Sequence, residues 1–300
     1  MKLSKPQFKK HAEALALCRR GIKLTEDEKI FVLENYHPGA THINSAAGAF
    51  FTPMGLARDF SIEVGVNENS SVIDLCAGIG GLTYAIRGSC SDLTCVEINP
   101  EYVEVGKMVV PEAKWICASV FDIEAYRREK KYTVAISNPP FGNIARDMTV
   151  ATKYLGSAFD LLVVDIASQV SKSGVFILPS GSVPFVMSGP GPFRRSGSTL
   201  YSKFHSETGI ELEPSCGIDT TQYSDDWLGV KPSVEIATAE FSVTASAYQA
   251  PASIDEDISD EQKSIVVDTI EEAMFNDNEL QVEYREAALA VEAPQAAFAF

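Results

Sequence analysis

The chain has 300 residues, of which 45% are hydrophobic, and carries a formal net charge of −16. That length suits one medium domain with appendages or two small domains, and it is enough for a sizeable core. No apolar run approaches the ~18 residues that a membrane span needs, and the lysine-rich start lacks the apolar segment of a secretory signal. Six cysteines without a C-x-x-C pair argue against a zinc site or a disulfide framework. We therefore expect a cytoplasmic protein without a metal.

The negative charge is unevenly distributed along the chain. Residues 251–300 hold thirteen Asp and Glu against two Lys and Arg, a balance of −11 that leaves −5 for residues 1–250. The first thirty residues hold eight Lys and Arg against four Asp and Glu. Because the acidity is concentrated in the tail, the total charge does not exclude a nucleic-acid partner for the body of the chain.

Residues 1–48 are predicted to form a basic helical extension. Thr25 and Glu28 have the spacing of a capping box in front of the apolar run 30–33, which indicates a helix start there. After a loop-like stretch, Thr52 is expected to cap a second helix with Pro53 in its first position. Phe50 and Phe51 directly precede this start and are the hint of a ligand-binding wall.

A strand, a glycine-rich turn and a helix follow one another from residue 71. Ser71–Leu75 is an apolar strand, residues 76–81 read Cys-Ala-Gly-Ile-Gly-Gly, and a helix is predicted over 82–87. This order is typical of the first strand–helix unit of a nucleotide-binding sheet. The spacing is neither that of a dinucleotide fingerprint nor that of a P-loop, so a phosphate is not the expected ligand.

Two acids follow the next two predicted strands. Glu97 ends the strand over 93–97, near the offset from Asp74 at which an acid accepts hydrogen bonds from a ribose. Asp122 follows the strand over 114–117, where it can accept from the amine of an adenine. The alternatives are structural, because the dipole of a following helix also favours an acid such as Glu97, and Asp122 can simply cap a helix.

The fourth predicted strand, over 132–136, ends in Ser137-Asn138-Pro139-Pro140-Phe141-Gly142. Two prolines cannot continue a central strand, so the turn falls at the edge of the sheet where ligands bind. The side-chain oxygen of Asn138 and the carbonyl of Pro139 can accept both hydrogens of a planar NH2 group, and Phe141 offers a face for stacking. An ordinary turn with a half-buried phenylalanine is the alternative.

The remaining predicted elements continue the alternation of helices and strands. A helix is expected over 154–170, a fifth strand over 174–179 and two closing strands near 234–237 and 240–243. This series predicts an α/β fold with a doubly wound, mainly parallel sheet as the catalytic domain, over residues 49–245.

Two segments beyond the fifth strand are predicted to lack regular structure in large part. Residues 180–204 form a polar loop, which is either a solvated linker or a contact surface for phosphates and bases. The candidates for substrate contact in this region are Phe193, Arg194, Arg195 and Tyr201. Residues 246–300 are expected to form an acidic, partly disordered tail with one short helix over 260–274. This tail solubilises the chain, binds a partner protein or mimics nucleic acid, and solubilising is the favoured role.

These motifs stand in one order, and together they resemble those of class I S-adenosylmethionine-dependent methyltransferases over roughly residues 49–241. The glycine turn after Asp74 resembles the first motif of that family. Asn138-Pro139-Pro140-Phe141 resembles the catalytic motif of members that methylate exocyclic amines, and Phe51-Thr52-Pro53 resembles the donor-site motif of N6-adenine DNA methyltransferases. The resemblance implies a Rossmann-like fold and S-adenosylmethionine as the cofactor. The cofactor-binding positions that it implies are Phe51, Thr52, Pro53, Asp74, Ala77, Gly78, Gly80, Glu97, Ile98, Val120, Phe121 and Asp122.

The activity implied by this resemblance is methyl transfer to the N6 amine of adenine in DNA, with low or short sequence specificity. Asn138, Pro139, Pro140 and Phe141 would be the catalytic residues, and the adenine of a duplex would be flipped out of the stack. A planar NH2 group also occurs on adenine in RNA and on a protein glutamine, so both stay open as acceptors. A non-catalytic protein that binds a partner through its acidic tail is the alternative of another class.

Overall fold

The computed structural model of the chain describes residues 4–37, 50–142 and 152–241. Its helices are α1 (Lys5–Cys18), α2 (Glu26–Asn35), α3 (Met54–Val64), α4 (Gly81–Ile86), α5 (Pro100–Val109), α6 (Phe159–Val170) and α7 (Thr199–Thr208). Its strands are β1 (Ser71–Leu75), β2 (Asp92–Glu97), β3 (Lys114–Cys117), β4 (Tyr132–Ser137), β5 (Ser171–Pro179), β6 (Phe185–Val186), β7 (Arg194–Arg195), β8 (Glu213–Pro214) and β9 (Val234–Glu240). No helix in these ranges is long and apolar enough to cross a membrane.

Seven of these strands build one sheet in the order β3-β2-β1-β4-β5-β9-β8. Strands β1 to β5 run parallel, whereas β9 pairs antiparallel with both β5 and β8. The order reverses between β1 and β4, so the loops after these two strands leave the sheet in opposite directions and open a crevice between them. The predicted α/β fold with a doubly wound, mainly parallel sheet is confirmed.

The sheet is buried on both faces, because its central strands alternate two sets of apolar side chains. Ile73 and Leu75 of β1 face a core that includes most of α6, in which the side chains from 159 to 167 are all buried. Val72 of the same strand faces the opposite core, which it shares with Leu56 and Phe60 of α3. The two cores fix β1 and β4 rigidly, and with them the loops that follow.

The basic N-terminal helices pack onto this domain. The capping box predicted at Thr25 is present, with its side chain accepting from the Glu28 amide. A third apolar cluster joins Ala14 of α1 and Leu33 of α2 to Tyr102 and Val109 of α5. The predicted tail helix over 260–274 lies outside the described residues.

Three predictions of local structure were wrong. The helix expected from residue 154 begins at Phe159, because the Asp165 carboxylate holds the Tyr154 amide at 2.8 Å and the Phe159 amide donates to the Gly142 carbonyl at 3.0 Å. The stretch 180–204, expected to be a loop, contains the hairpin of β6 and β7 and the first turns of α7. The closing strand expected over 234–237 continues to Glu240 as β9. Residues 242 and 243 of the other closing strand lie outside the described residues.

Trp115 of β3 supplies a test of the packing beneath α5. A Cβ atom added to Gly106 of α5 would lie 2.1 Å from the Trp115 ring, whose indole nitrogen is tied to the Val110 carbonyl at 3.1 Å. We expect Gly106→Ala to destabilise the protein by about 1–3 kcal/mol, because overpacking outweighs the better helix propensity of alanine. Chemical denaturation measures this change. Gly88→Ala is the matched control, since a Cβ there meets nothing within 4 Å, and equal losses from both variants would contradict this account.

Candidate functional site

The crevice between β1 and β4 holds the residues that the sequence singled out. Asp74 pairs in register with Ile136, and the Ser137 hydroxyl donates to the Leu75 carbonyl, so the two strands end side by side. Cys76 then turns the chain sharply at a φ of 61°, in the left-handed region that non-glycine residues rarely adopt. The crevice opens into a cleft of about 380 Å³, with open solvent at its mouth included. The cleft is lined by Leu33, Phe50, Phe51, Thr52, Asp74, Cys76, Ala77, Gly78, Ile79, Gly81, Leu82 and Asn138.

The side chain of Asn138 is locked by hydrogen bonds on one side only. Its amide nitrogen donates to the Phe50 carbonyl at 2.8 Å and to the Thr52 hydroxyl at 2.9 Å. Because a carbonyl can only accept, the nitrogen must face Phe50, and this fixes which way the amide points. The amide oxygen is buried and has no hydrogen-bond partner within the described part of the chain. The arrangement therefore presents a bare acceptor to the cleft.

Thr52 braces Asn138 and does not cap the helix that follows it. The prediction of Thr52 as N-cap and Pro53 as first helical residue was wrong, since the N-cap of α3 is Pro53 and no side chain caps it. The hydroxyl that a cap would use accepts from the Asn138 amide instead. Threonine is common at N-caps, but Thr52 instead orients the side chain of Asn138, which lies 86 positions later in the chain.

Asp74 is the second bare acceptor of the cleft. It is 1% exposed, and its Oδ2 atom accepts from the Thr83 hydroxyl at 2.6 Å, while Oδ1 has no partner among the described residues. Burial raises the pKa of this carboxyl to about 7, because it disfavours the charged form and the hydrogen bond from Thr83 compensates only in part. Within the described residues, Asp74 and Asn138 thus leave two buried oxygens without a partner, and a ligand or water can satisfy them.

Glu97 does not line the cleft itself, but it is hydrogen-bonded to Gly78 in the cleft wall. Its Oε2 atom accepts from the Gly78 amide at 2.8 Å and its Oε1 atom from the Asn99 amide at 2.8 Å. Burial raises the pKa of Glu97, against the effect of these amides. A carboxylate has about four acceptor positions, so Glu97 keeps capacity for a ligand. Gly78 has a φ of 57°, and a Cβ atom there would lie 3.0 Å from the Phe51 ring. A side chain at residue 78 would therefore narrow the cleft, which both residues line.

The remaining predicted cofactor positions do not line this cleft. Ile98 is 68% exposed, and Asp122 is exposed. The side chains of Val120 and Phe121 belong to the core, so only their backbone can face a ligand. Gly80 is the N-cap of α4 with a φ of 87°. Pro53 lines a separate pocket, beside Met54.

The rest of the Asn-Pro-Pro-Phe turn extends the site towards solvent. Pro139 is buried, whereas Pro140 and Phe141 are partly exposed. The Phe141 ring lies 6.1 Å from the Phe50 ring, measured between centroids. The partly exposed Phe141 ring, three residues after Asn138, is a candidate face for stacking a planar group.

The four predicted substrate contacts lie on the hairpin and on α7. Phe193 is 44% exposed and Arg194 is exposed. Arg195 pairs with Glu213 at 3.0 Å, and the Tyr201 hydroxyl accepts from the Leu212 amide at 3.3 Å. The structure thus leaves the first two side chains accessible and gives the last two intramolecular partners.

The base of this hairpin is anchored, in contrast to the expected solvated loop. Glu235 of β9 is 1% exposed and accepts from the amides of Met187 and Ser188 at 3.1–3.2 Å. Asp219 accepts from the Gly189 amide at 3.0 Å. Two carboxylates therefore fix the hairpin to the sheet.

Sequence reasoning missed three groups that shape the cleft. Leu33 comes from α2, in the segment predicted to be a separate extension, and its apolar run gave no sign that it would line a ligand site. The Phe50 carbonyl is a backbone group and leaves no trace in the sequence. Thr83 follows the glycine turn. Its hydroxyl was the available signal in the sequence, because a hydroxyl at this position can donate to Asp74.

The residues in and next to the cleft fit S-adenosylmethionine as a ligand. The donor carries a cationic ammonium and sulfonium, and Asp74 offers a carboxylate with a free oxygen. Its ribose offers two hydroxyls, and Glu97 has free acceptor capacity behind Gly78. Among the described residues, no group of three or more His, Cys, Asp or Glu side chains is placed to hold a metal ion.

Asp74 makes the stability of the folded chain depend on pH. With a pKa of about 7 in the folded state against 3.8 ordinarily, the folded protein binds more protons than the unfolded chain between these values, so its stability falls as pH rises through that window. We expect Asp74→Asn to be more stable than the parent by roughly 4 kcal/mol at pH 8, and by less than half of that at pH 5. Denaturant unfolding at both pH values measures this difference. A variant that is less stable at pH 8 would contradict the assignment of a costly buried charge.

Comparison with known proteins agrees with this geometry. Residues 59–165 match the family model of the methyltransferase small domain. No curated protein matches the chain. The fold is similar to that of the methyltransferase subunit of a type I restriction-modification system from Streptococcus thermophilus, at a TM-score of 0.52 and 14% identity, over 73% of this chain and 49% of that one. This chain thus spans about half the length of that subunit.

Two further structures show the range of the similarity. A protein from Listeria monocytogenes, described as a class I S-adenosylmethionine-dependent methyltransferase, matches at a TM-score of 0.50 and 12% identity, over 72% of this chain and 68% of that one. A protein from Pyrococcus horikoshii, described as an RNA methyltransferase, matches at a TM-score of 0.45 and 18% identity, over 72% of this chain and 98% of that one.

The matched segment contains β1 to β4, the glycine turn, Glu97 and the Asn-Pro-Pro-Phe turn. These are the parts from which the cleft and its bare acceptors are built. Residues 59–165 of this chain therefore match a methyltransferase small domain, and the chain has a class I methyltransferase fold, for which S-adenosylmethionine is the implied cofactor.

Proposed function

We propose that this chain transfers a methyl group from S-adenosylmethionine to the exocyclic N6 amine of adenine in DNA. The family match and the fold support a methyltransferase. The acceptor is the finer part of the proposal, and it depends on the chemistry around Asn138.

The observation that carries the proposal is the state of the Asn138 side chain. Both of its N–H groups are engaged, by the Phe50 carbonyl and the Thr52 hydroxyl, and its oxygen is buried and bare. Such an oxygen is a preorganised acceptor for one N–H bond of an amine. A buried acceptor without a partner costs about 1–3 kcal/mol, which indicates that a ligand recovers this free energy.

When bound, S-adenosylmethionine supplies a methyl group on a sulfonium, which is already activated for transfer. The task of the protein is then to orient the amine, whose lone pair is delocalised into its ring. Accepting N–H bonds at Asn138 and at the Pro139 carbonyl favours the more pyramidal and more nucleophilic nitrogen that the transition state requires. An amide suits this position better than a carboxylate, because it adds no full charge to the cleft.

Phe141 and Phe50 favour an aromatic acceptor over an aliphatic amide. Their ring centroids lie 6.1 Å apart, the Phe50 carbonyl accepts from the Asn138 amide, and Phe141 is partly exposed. A flipped adenine loses its stacking in the duplex at a cost of a few kcal/mol, and a phenylalanine face replaces part of it. A glutamine side chain would gain little from these rings.

Methyl transfer to three separate acceptors tests the proposal. The intact chain is given labelled S-adenosylmethionine with duplex DNA, total RNA or a protein extract, and the modified residue is identified. We expect N6-methyladenine in DNA. Label confined to RNA or to a protein glutamine would retain the chemistry and overturn the acceptor, and the absence of label in all three would overturn the activity.

Asn138→Ala should abolish transfer and spare donor binding. Losing the acceptor removes a contact made to the amine, so the rate should fall by about 10²–10³ or more, while calorimetry shows donor affinity within a few-fold of the parent. Asp74→Asn serves as the contrast, because it should weaken donor binding. Equal loss of donor affinity in both variants would contradict the division of roles.

Thr52 offers a separate test of the brace. Thr52→Val removes the hydroxyl that accepts from the Asn138 amide, so the amide can rotate, and we expect kcat to fall about 10-fold or more. Thr52→Ser keeps the hydroxyl and should retain most of kcat. If valine and serine lower kcat equally, the size of residue 52 matters and the hydrogen bond does not.

A further inference from the structure

The outer face of α1 concentrates positive charge in an acidic chain. Residues 4–24 contain six Lys and Arg against one Glu, whereas the whole chain carries −16. Lys5, Lys9, Lys10 and Arg19 of this segment are exposed. None of the ion pairs found between described residues engages these four side chains, although most other arginines have an acidic partner.

Three of these four charged side chains form a stripe along one side of α1. They are Lys5, Lys9 and Arg19, which fall on the same side at a helical period, with the exposed residues Ala12 and Ala16 between them. From residue 5 to residue 19 the stripe is about 21 Å long. The two alanines leave the middle of the stripe free of bulky side chains, so an extended partner can approach the helix closely.

The stripe does not serve the stability of the helix. The first turn of α1 contains no acidic residue and begins with Lys5, although the dipole at a helix N-terminus disfavours a cation. The start of the helix is fixed by other means, the capping box of Ser4 and Gln7. The lysines therefore need another explanation, and a polyanionic partner supplies it.

The opposite side of α1 is already packed against the protein. His11 is 7% exposed and accepts at Nδ1 from the His37 amide at 3.1 Å, and its ring lies 4.8 Å from the Tyr36 ring. Burial lowers the pKa of His11, which keeps it out of the basic stripe. The exposed side of α1 has one large apolar side chain, Phe8, which is 60% exposed. A single phenylalanine offers much less apolar area than an amphipathic helix that inserts into a lipid surface, and this argues against a membrane as the partner.

We propose that the stripe of Lys5, Lys9 and Arg19 binds the phosphate backbone of duplex DNA next to the reaction site. This inference rests on the proposed function and names the surface that holds the substrate. The major groove of B-form DNA is about 12 Å wide and admits a helix, whereas that of A-form RNA is deep and narrow. Tyr36, which packs on His11, also lies 6.1 Å from the Phe51 ring, so α1 and the cleft are joined through packed rings.

Salt dependence of DNA binding tests the proposal, with the full-length chain and without donor. The variant Lys5→Gln, Lys9→Gln, Arg19→Gln is compared with Lys114→Gln, Lys130→Gln, Lys172→Gln. The control lysines are exposed and lie at or just before the amino ends of β3, β4 and β5, which is the edge of the sheet opposite the cleft. Both triple variants lower the net charge equally, and their melting temperatures are compared with that of the parent.

The probe is a labelled duplex of about 20 base pairs, titrated by fluorescence anisotropy between 50 and 300 mM salt. Each lost phosphate contact lowers the slope of log K against log salt by about 0.9, so the α1 variant should lose about 2 to 3 in slope and bind about ten-fold or more weakly at 0.1 M salt. The control variant should keep the slope of the parent. Equal changes in both variants would overturn the proposal.

Binding to other polyanions tests DNA as the partner, and the comparison of binding with methyl transfer distinguishes failure of this inference from failure of the proposed function. Stripe-dependent binding that is tighter for duplex RNA, or for vesicles of phosphatidylserine and phosphatidylcholine, would overturn DNA as the partner. Since binding is measured without donor, a lack of methyl transfer leaves the stripe intact. DNA methylation by an α1 variant with unchanged affinity would instead retain the function and overturn the stripe.

Discussion

The hydrogen bonds from the Asn138 amide nitrogen to the Phe50 carbonyl and the Thr52 hydroxyl decide how the site is presented. A carboxamide has two donors and one acceptor group, so once both donors are engaged its oxygen is the one polar atom left for a ligand. The bonds join positions 86 and 88 residues apart. They can form only because the two cores fix β4 and α3 on either side of the crevice. The proline turn then keeps the backbone of residues 139 and 140 from adjusting, and the oxygen stays where the sheet places it.

The cleft is built at the expense of stability. Asp74 and Asn138 each keep a buried oxygen without a described partner, and burial raises the pKa of both Asp74 and Glu97. Each such group makes the folded state less favourable, by amounts typical of an unmade hydrogen bond or an unfavourably placed charge. The sheet can tolerate this because its central strands are apolar on both faces. A ligand that donates hydrogen bonds and carries positive charge recovers the free energy that the burial of these groups costs the folded chain.

Much of this arrangement could be predicted from the sequence, and the parts that could not share a physical reason. The strand ends, the glycine turn and Asn138 were predictable because parallel strands bring their carboxyl ends to one edge. Thr52 was misread, because a hydroxyl before a helix fits both a cap and a brace, and only the distant amide distinguishes them. The contribution of Leu33 and of the Phe50 carbonyl depends on tertiary packing and on backbone atoms, which residue types do not encode. The hairpin after β5 was missed because Glu235 and Asp219 anchor it from positions far along the chain.

The N-terminal helices belong to the catalytic unit and not to a separate appendage. Leu33 lines the cleft, and Tyr36 packs between His11 and Phe51, so α1, α2 and the donor-site motif share one set of contacts. Charge is divided within this unit: the buried acids face the cleft, where a cationic donor fits, and the unpaired lysines lie on the outer face of α1. In the proposed reaction a cationic donor and a polyanionic acceptor bind to different parts of this unit. The packed helical layer separates the acids from the lysines, so neither set of charges neutralises the other.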